Sequence, residues 1–202
     1  HIVYIDLGRG KYRVGGSALT QVLGDYDYEM PNFEYLERFP NIFNRIQMLI
    51  LNKQIVSLHD RSDGGLITTL IEMGIASNLG FDLHVVDSCD LYEYSFAEEL
   101  GLVVEVQNFE YINRLIGHMV PVHKIGVITP EPRFKMKYNT VEVLDMSISK
   151  ARVAWESTSF DVLERMTDKK AVCAERSYVN TPDNFMLQPQ YKASFSVNIP
   201  CD

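Results

Sequence analysis

The run His59-Asp60-Arg61-Ser62-Asp63-Gly64-Gly65 concentrates polar chemistry in seven residues. It follows an apolar stretch at 55–58 and precedes a helix-periodic segment from Gly65, which predicts a strand-to-helix turn, a usual place for ligands in α/β sheets. Such a turn favours anions. Unpaired N–H groups and the positive end of the helix dipole attract phosphate, and Gly64 and Gly65 remove side chains that would block approach. Two carboxylates there repel a phosphate unless a divalent cation stands between, and Mg²⁺ is typically held by one or two carboxylates plus phosphate oxygens. Asp60 and Asp63 thus point to a metal, and Ser62 to a hydroxyl donated to phosphate. The same residue types also make helix caps and tight turns, with Asp63 or Ser62 as the cap, and that reading stands beside the first. His59 taken alone reads as a packed or surface histidine.

A second candidate is the loop from Gly8 to Ser17. Gly8 and Gly10 suit a sharp turn, Lys11 and Arg13 supply positive charge, and Gly15-Gly16-Ser17 opens a helix, so a phosphate or carboxylate fits there. The Gly-Lys-Ser/Thr ending of a Walker loop is absent, and close packing of helix on strand also calls for these glycines. Other candidates are weaker. Pro121 separates His118 from His123, so the two cannot form a metal pair on one helical face. Glu98 and Glu99 read as a solvated edge, although close enough to the strand at 102–106 to approach the sheet end. Trp155, Phe160, Tyr92 and Tyr94 read as core or interdomain packing. No Ser-His-Asp or Cys-His arrangement is present, and no catalytic residue is assigned.

The elements that must position these loops follow a regular order. Strands are predicted at 2–7, 55–58, 81–86, 102–106 and 122–128, with helices at 65–78, 91–100 and 111–118, which contains the split βαβ order of ferredoxin-like sheets. A helical segment opens at Pro31, is interrupted by Pro40, and resumes after an Asn41 cap with Ile42, Phe43, Ile46, Leu49 and Ile50 on one face. A hairpin at 133–138 and 141–143 turns across Asn139-Thr140, and Ser147 caps a last helix through about Met166. The fold class is α+β, a three-layer α/β/α arrangement on a mixed sheet, partly ferredoxin-like. Residues 1–168 form the domain. Residues 169–202, with Pro182, Pro189 and Pro200 among polar residues, read as an extended tail or linker.

Composition bounds the function. With 202 residues, 46% hydrophobic and 23% charged, the chain is long enough for a core without disulfide or metal staples. Its three cysteines, Cys89, Cys173 and Cys201, are odd in number and far apart, which favours a reducing, cytoplasmic setting over a disulfide framework or zinc site. A net charge of −8 argues against nucleic acid, and no apolar run approaches the roughly 20 residues of a membrane span. The first residue is His1, within a strand-like pattern, as in a piece cut from a longer chain.

The segments 6–19, 59–66 and 96–106, in this order and spacing, closely resemble the large, single-chain phosphoribosylformylglycinamidine synthases, and the segment 155–160 and the polar tail look similar too. Aminoimidazole ribonucleotide synthetase, selenophosphate synthetase and thiamine monophosphate kinase belong to the same ATP-using superfamily with different versions of the loop. The resemblance implies an AIR-synthetase-like C-terminal domain, the second B domain of a duplicated synthetase, placed just before a glutaminase. The implied reaction converts formylglycinamide ribonucleotide to the amidine in purine synthesis, with ATP, Mg²⁺ and ammonia from glutamine. ATP activates the amide oxygen and ammonia displaces phosphate. Carried over, the magnesium ligand is Asp60 and the nucleotide contact Ser62. The bound nucleotide is ATP or, in one of two pseudo-equivalent clefts, a structural nucleotide such as ADP. The other synthetase domains and the glutaminase would be the partners, so the isolated chain is expected to be inactive. The alternatives are a non-catalytic homologue acting through protein contacts, as in viral tegument proteins, or another ATP-using member of the superfamily.

Overall fold

The structure is a computed structural model and describes residues 1–25 and 28–179. It divides into two compact units, residues 1–152 and 153–202. The first contains a seven-stranded mixed sheet in the order β2-β4-β1-β5-β3-β6-β7. The strands are β1 (Ile2–Asp6), β2 (Ile55–Asp60), β3 (Gly80–Val85), β4 (Gly101–Val106), β5 (Val122–Thr129), β6 (Arg133–Tyr138) and β7 (Val141–Ser147). All pairings are antiparallel except β3 with β6.

Strand β1 shows why the sheet is covered on both faces. Its five residues are all buried, and successive side chains alternate sides. Ile2 and Tyr4 join one cluster with Leu66 and Leu70 of α3 (Gly65–Ser77) and Tyr94 of α4 (Leu91–Phe96). Val3 and Ile5 join another with Ile42, Ile46 and Leu49 of α2 (Phe39–Leu51) and Ile112 and Ile116 of α5 (Phe109–Ile116). Two helical layers thus sandwich the sheet, the three-layer arrangement expected from the sequence. The ferredoxin-like likeness extends to the order β2-α3-β3-α4-β4-α5-β5, with α4 added. In the sheet itself β2 pairs antiparallel with β4, and β1 lies between β4 and β5.

Two local expectations change. Pro40 does not interrupt a helix begun at Pro31. Helix α2 starts at Phe39 with Arg38 at the N-cap, placing Pro40 in the first turn, where a missing N–H costs nothing. Of its predicted face, Ile42, Ile46 and Leu49 are buried, whereas Phe43 and Ile50 are exposed. The hairpin forms as expected, with Asn139 (φ 47°) and Thr140 (φ 75°) in the left-handed region that a two-residue turn requires.

Helix α6 (Ile148–Met166) begins where Ser147 Oγ accepts the Lys150 N–H at 3.2 Å, and the division between the units falls inside it. In the second unit, residues 169–179 are not extended. Helix α7 (Lys169–Val179) forms because the first proline comes only at 182 and Asp168 Oδ1 accepts the Lys170 N–H. Arg176 reaches Asp161 at 3.1 Å and lies over the Phe160 ring. The proline-bearing remainder, with Cys201, lies outside the described residues.

Candidate functional site

Sheet register brings the two glycine-bearing loops together. Asp6, the last residue of β1, pairs with Gly101, and Asp60, the last of β2, pairs with Leu102. Both chains therefore leave the sheet at one edge, on either side of the start of β4.

The first loop is anchored by its own carboxylates. Buried Asp6 accepts the Gly8 N–H at 2.8 Å and also the Gly10 N–H. Further on, Arg13 is buried and bonded through Nε and Nη2 to Glu99, with Nη1 3.0 Å from Glu34, while Lys11 Nζ lies 2.8 Å from the same Glu34. The Glu99 carboxylate holds the Arg13 proton more tightly than usual. The two cations assigned to anion binding are thus neutralised inside the protein, which corrects the sequence reading of Lys11 and Arg13. Ser17 caps α1 (Ala18–Leu23), and its hydroxyl accepts from Thr20. Gly15 is required by close approach, since a Cβ there would stand 2.4 Å from the Tyr28 carbonyl. The packing role of this loop is therefore real.

The second loop differs. Helix α3 is capped by Gly64 in the left-handed conformation (φ 82°), without a side-chain cap bond, so neither Ser62 nor Asp63 serves as the cap. A Cβ on Gly65 (φ 73°) would stand 2.7 Å from the Phe96 backbone, so that backbone fits only glycine. Arg61 lies beneath the loop, buried, with Nη1 2.9 Å from the Tyr4 hydroxyl and Nη2 2.9 Å from the Tyr94 carbonyl. Burial pushes the Tyr4 phenol up to about 12, against the pull of Arg61. His59 is half-buried, with Nε2 3.2 Å from Glu72 and Nδ1 2.7 Å from the Asp60 carbonyl. The Asp60 side chain is 73% exposed, with Nδ1 of His59 as its near neighbour at 3.4 Å. Among the described residues Ser62 and Asp63 have no side-chain partner. The loop thus holds its backbone by other means and presents Ser62 and Asp63 uncommitted, with the exposed Asp60 carboxylate beside His59, at the N-terminus of a 13-residue helix.

Glu98 and Glu99 are not a solvated edge. Glu99 is fully buried against Arg13, and Glu98 Oε1 accepts both the Ala18 N–H (2.9 Å) and the Gly64 N–H (2.7 Å), joining one loop to the other. Sequence reasoning gave them to solvent because adjacent glutamates are rarely buried unpaired. The available signal was position: they lie just before β4, whose first residue faces the end of β1. Other candidates stay apart. His118 follows α5, and His123 on β5 stacks on Tyr4 at 6.3 Å. Cys89 is half-buried, its thiol pushed up to about 11 mainly by burial.

Among the described residues no group of three or more His, Cys, Asp or Glu side chains could hold a metal ion. Asp60 fits the part of one exposed hard-oxygen ligand, with phosphate, water or another domain completing the shell, rather than a closed site.

The family model described as AIR synthase related protein, C-terminal domain, matches residues 10–139, which include the loop at 59–65, most of the loop at 8–17 and strands β2 to β6. The chain belongs to this family. Among curated relatives of this AIR synthase related domain, a probable phosphoribosylformylglycinamidine synthase, chloroplastic/mitochondrial, of Arabidopsis thaliana is 35% identical over 96% of the chain. Phosphoribosylformylglycinamidine synthase of Homo sapiens is 32% identical over 87%. The chain spans 14% of the length of each. In fold, the domain resembles Thermotoga maritima PurL complexed with FGAR, with TM-score 0.59 and 14% identity over 74% of this chain and 27% of that one. The same protein complexed with ATP gives a TM-score of 0.53 and 17% identity over 74% and 25%. No helix among the described residues is long and apolar enough to cross a membrane.

Proposed function

We propose that this AIR synthase related domain is part of a cytoplasmic phosphoribosylformylglycinamidine synthase, where it contributes Mg-nucleotide contacts to a glutamine-dependent, ATP-using ligase. The observation that carries this reading is the loop at α3: among the described residues Ser62 has no side-chain partner and the Asp60 carboxylate, 73% exposed, touches only His59, at a helix N-terminus that Gly64 caps through backbone alone. The Ser62 hydroxyl and the first free N–H groups of α3 receive phosphate oxygens, and the helix dipole favours their charge. Asp60 serves as one ligand to Mg²⁺, whose charge makes Asp60 and Asp63 compatible with an adjacent phosphate. The relatives' names and the ATP- and FGAR-complexed structural neighbours support the substrate assignment.

In the ligase, ATP activates the amide oxygen of formylglycinamide ribonucleotide and ammonia displaces phosphate. The remaining ligands come from other synthetase domains of the parent chain, and ammonia from a glutaminase reached through the stretch beyond residue 168. The domain alone orients phosphate and metal and catalyses no step.

Asp60→Asn in the full parent chain is the direct test, read as ADP affinity with and without Mg²⁺. The Mg²⁺-dependent part of the affinity falls by at least about tenfold while metal-free binding is retained. Unchanged Mg²⁺ dependence would overturn the assignment. A parent gene that fails to rescue a purine auxotroph, despite good expression, would favour a non-catalytic homologue.

A further inference from the structure

A cavity of about 610 Å³ opens beside the end of β1 among elements that pack on the α2 and α5 layer. Arg9, Phe33, Tyr35, Arg38, His118 and Pro121 are among its lining residues, whereas Asp60, Ser62, Glu98 and Glu99 do not line it. It is thus separate from the site proposed for the nucleotide.

Two cations reach this cavity from positions that are locally unfavourable. Arg9 sits at the tip of the turn that Asp6 holds through Gly8 and Gly10, with φ +59°. A non-glycine residue is disfavoured there, although the chain has glycines on either side of it. Arg38 is the N-cap residue of α2, makes no side-chain cap bond, and brings positive charge to the positive end of the helix dipole. Departures from local rules without a structural return are where function is to be sought.

Neither guanidinium has an ion pair or hydrogen bond among the described residues, whereas Arg13, Arg133 and Arg176 are all paired. Both residues line the same cavity as Tyr35, whose phenol is raised by burial and by Asp6 and lowered by the charges of Arg9 and Arg38. The nearby carboxylates are largely committed: Glu34 to Lys11 and Arg13, and Asp6 to two backbone N–H groups. Glu37 remains exposed at the rim.

Two arginine forks match phosphate geometry, and the volume lies within the range of small-molecule sites. A bare phosphate would leave most of that volume empty, while Phe33, Met119 and Pro121 offer an apolar wall for an organic body. We propose that this cavity binds a small phosphate monoester, its phosphate held by Arg9 and Arg38 and its body against Phe33 and Pro121.

Calorimetric titration of the protein with phenyl phosphate, inorganic phosphate and phenol tests this. Phenyl phosphate binds one to one in the millimolar range or tighter and better than inorganic phosphate, and phenol does not bind measurably. R9Q and R38Q each weaken phenyl phosphate at least about tenfold with unchanged circular dichroism, both side chains being exposed, while Ser62→Ala, at the phosphate contact of the nucleotide loop, leaves it unchanged. Absence of saturable binding, or wild-type affinity in the R9Q/R38Q double variant, would overturn the site. Equal affinity for inorganic phosphate would overturn the organic body, and loss of binding in Ser62→Ala would overturn the site by showing that phenyl phosphate occupies the nucleotide loop instead.

Discussion

The Glu98 carboxylate accepts the Gly64 N–H at 2.7 Å, tying the segment between α4 and β4 to the cap of α3. Because the same oxygen accepts from Ala18, one atom sets the spacing of the two glycine-bearing loops.

Glu98→Ala therefore leaves two backbone donors without their acceptor. We expect a loss of about 1–3 kcal/mol in urea denaturation, together with weaker nucleotide binding in the parent chain. Glu98→Gln keeps the accepting oxygen and recovers most of both. If Gln were as damaging as Ala, the charge rather than the acceptor would be what matters.

Arg13 and Glu99 make a different prediction. Their side chains are 7% and 0% exposed, so Glu99→Ala takes the main partner from a buried cation that keeps its ion pairs with Glu34 and Glu29, and is expected to cost about 3 kcal/mol, the lower end for a broken buried pair. Replacing both partners with apolar residues of similar volume should be far milder. A double variant as unstable as the single one, measured by thermal unfolding, would contradict this account.

Glycine substitutions separate conformation from space. Gly10→Ala (φ +70°) meets no atom within 4 Å and loses only the left-handed preference, about 1 kcal/mol. Gly65→Ala (φ +73°) adds a 2.7 Å approach to the Phe96 backbone and should be several-fold more destabilising. Comparable denaturation midpoints for the two would show that the α3–α4 contact yields readily.

Burial raises the phenols of Tyr12, Tyr94 and Tyr138, and alkaline stability follows in part from a fourth, Tyr4. Its phenol is raised from 10.0 to about 12, chiefly by burial, so the native state retains a proton that the unfolded chain releases. The associated stability is complete below about pH 10 and is lost as the pH rises toward about 12. Tyr4→Phe should flatten that part of the pH profile while lowering stability at neutral pH, because Arg61 Nη1 loses its acceptor. An unaltered alkaline slope in Tyr4→Phe would assign the transition to other phenols.

The strand-to-helix turn at residues 59–65 was legible because it is local, a strand end followed by two glycines and a helix-periodic segment, whereas the metal and phosphate roles of its side chains belong to the proposal. Glu98 was not, since its partners Ala18 and Gly64 are 80 and 34 residues away and only the sheet register brings them near. Lys11 and Arg13 misled for the same reason, because the acids that neutralise them, Glu34 and Glu99, are distant in sequence. Strand positions followed from apolar alternation, and the three layers followed from strands apolar on both faces. Strand order did not: nothing in residues 2–7 indicates insertion between β4 and β5. The α7 helix was missed because its exposed residues carry little apolar periodicity, leaving Asp168 as the main sign of a helix start.

That insertion bears on how the domain is made. Strand β1 is the earliest of the seven strands of this sheet to leave the ribosome, yet its two neighbours lie about a hundred residues downstream. Until β5 has been synthesised, the nascent chain carries an apolar segment that no hairpin can shelter, and such high contact order slows folding. The segment 2–6 is therefore where premature self-association of the growing chain would begin, and where a holding chaperone would have most to protect.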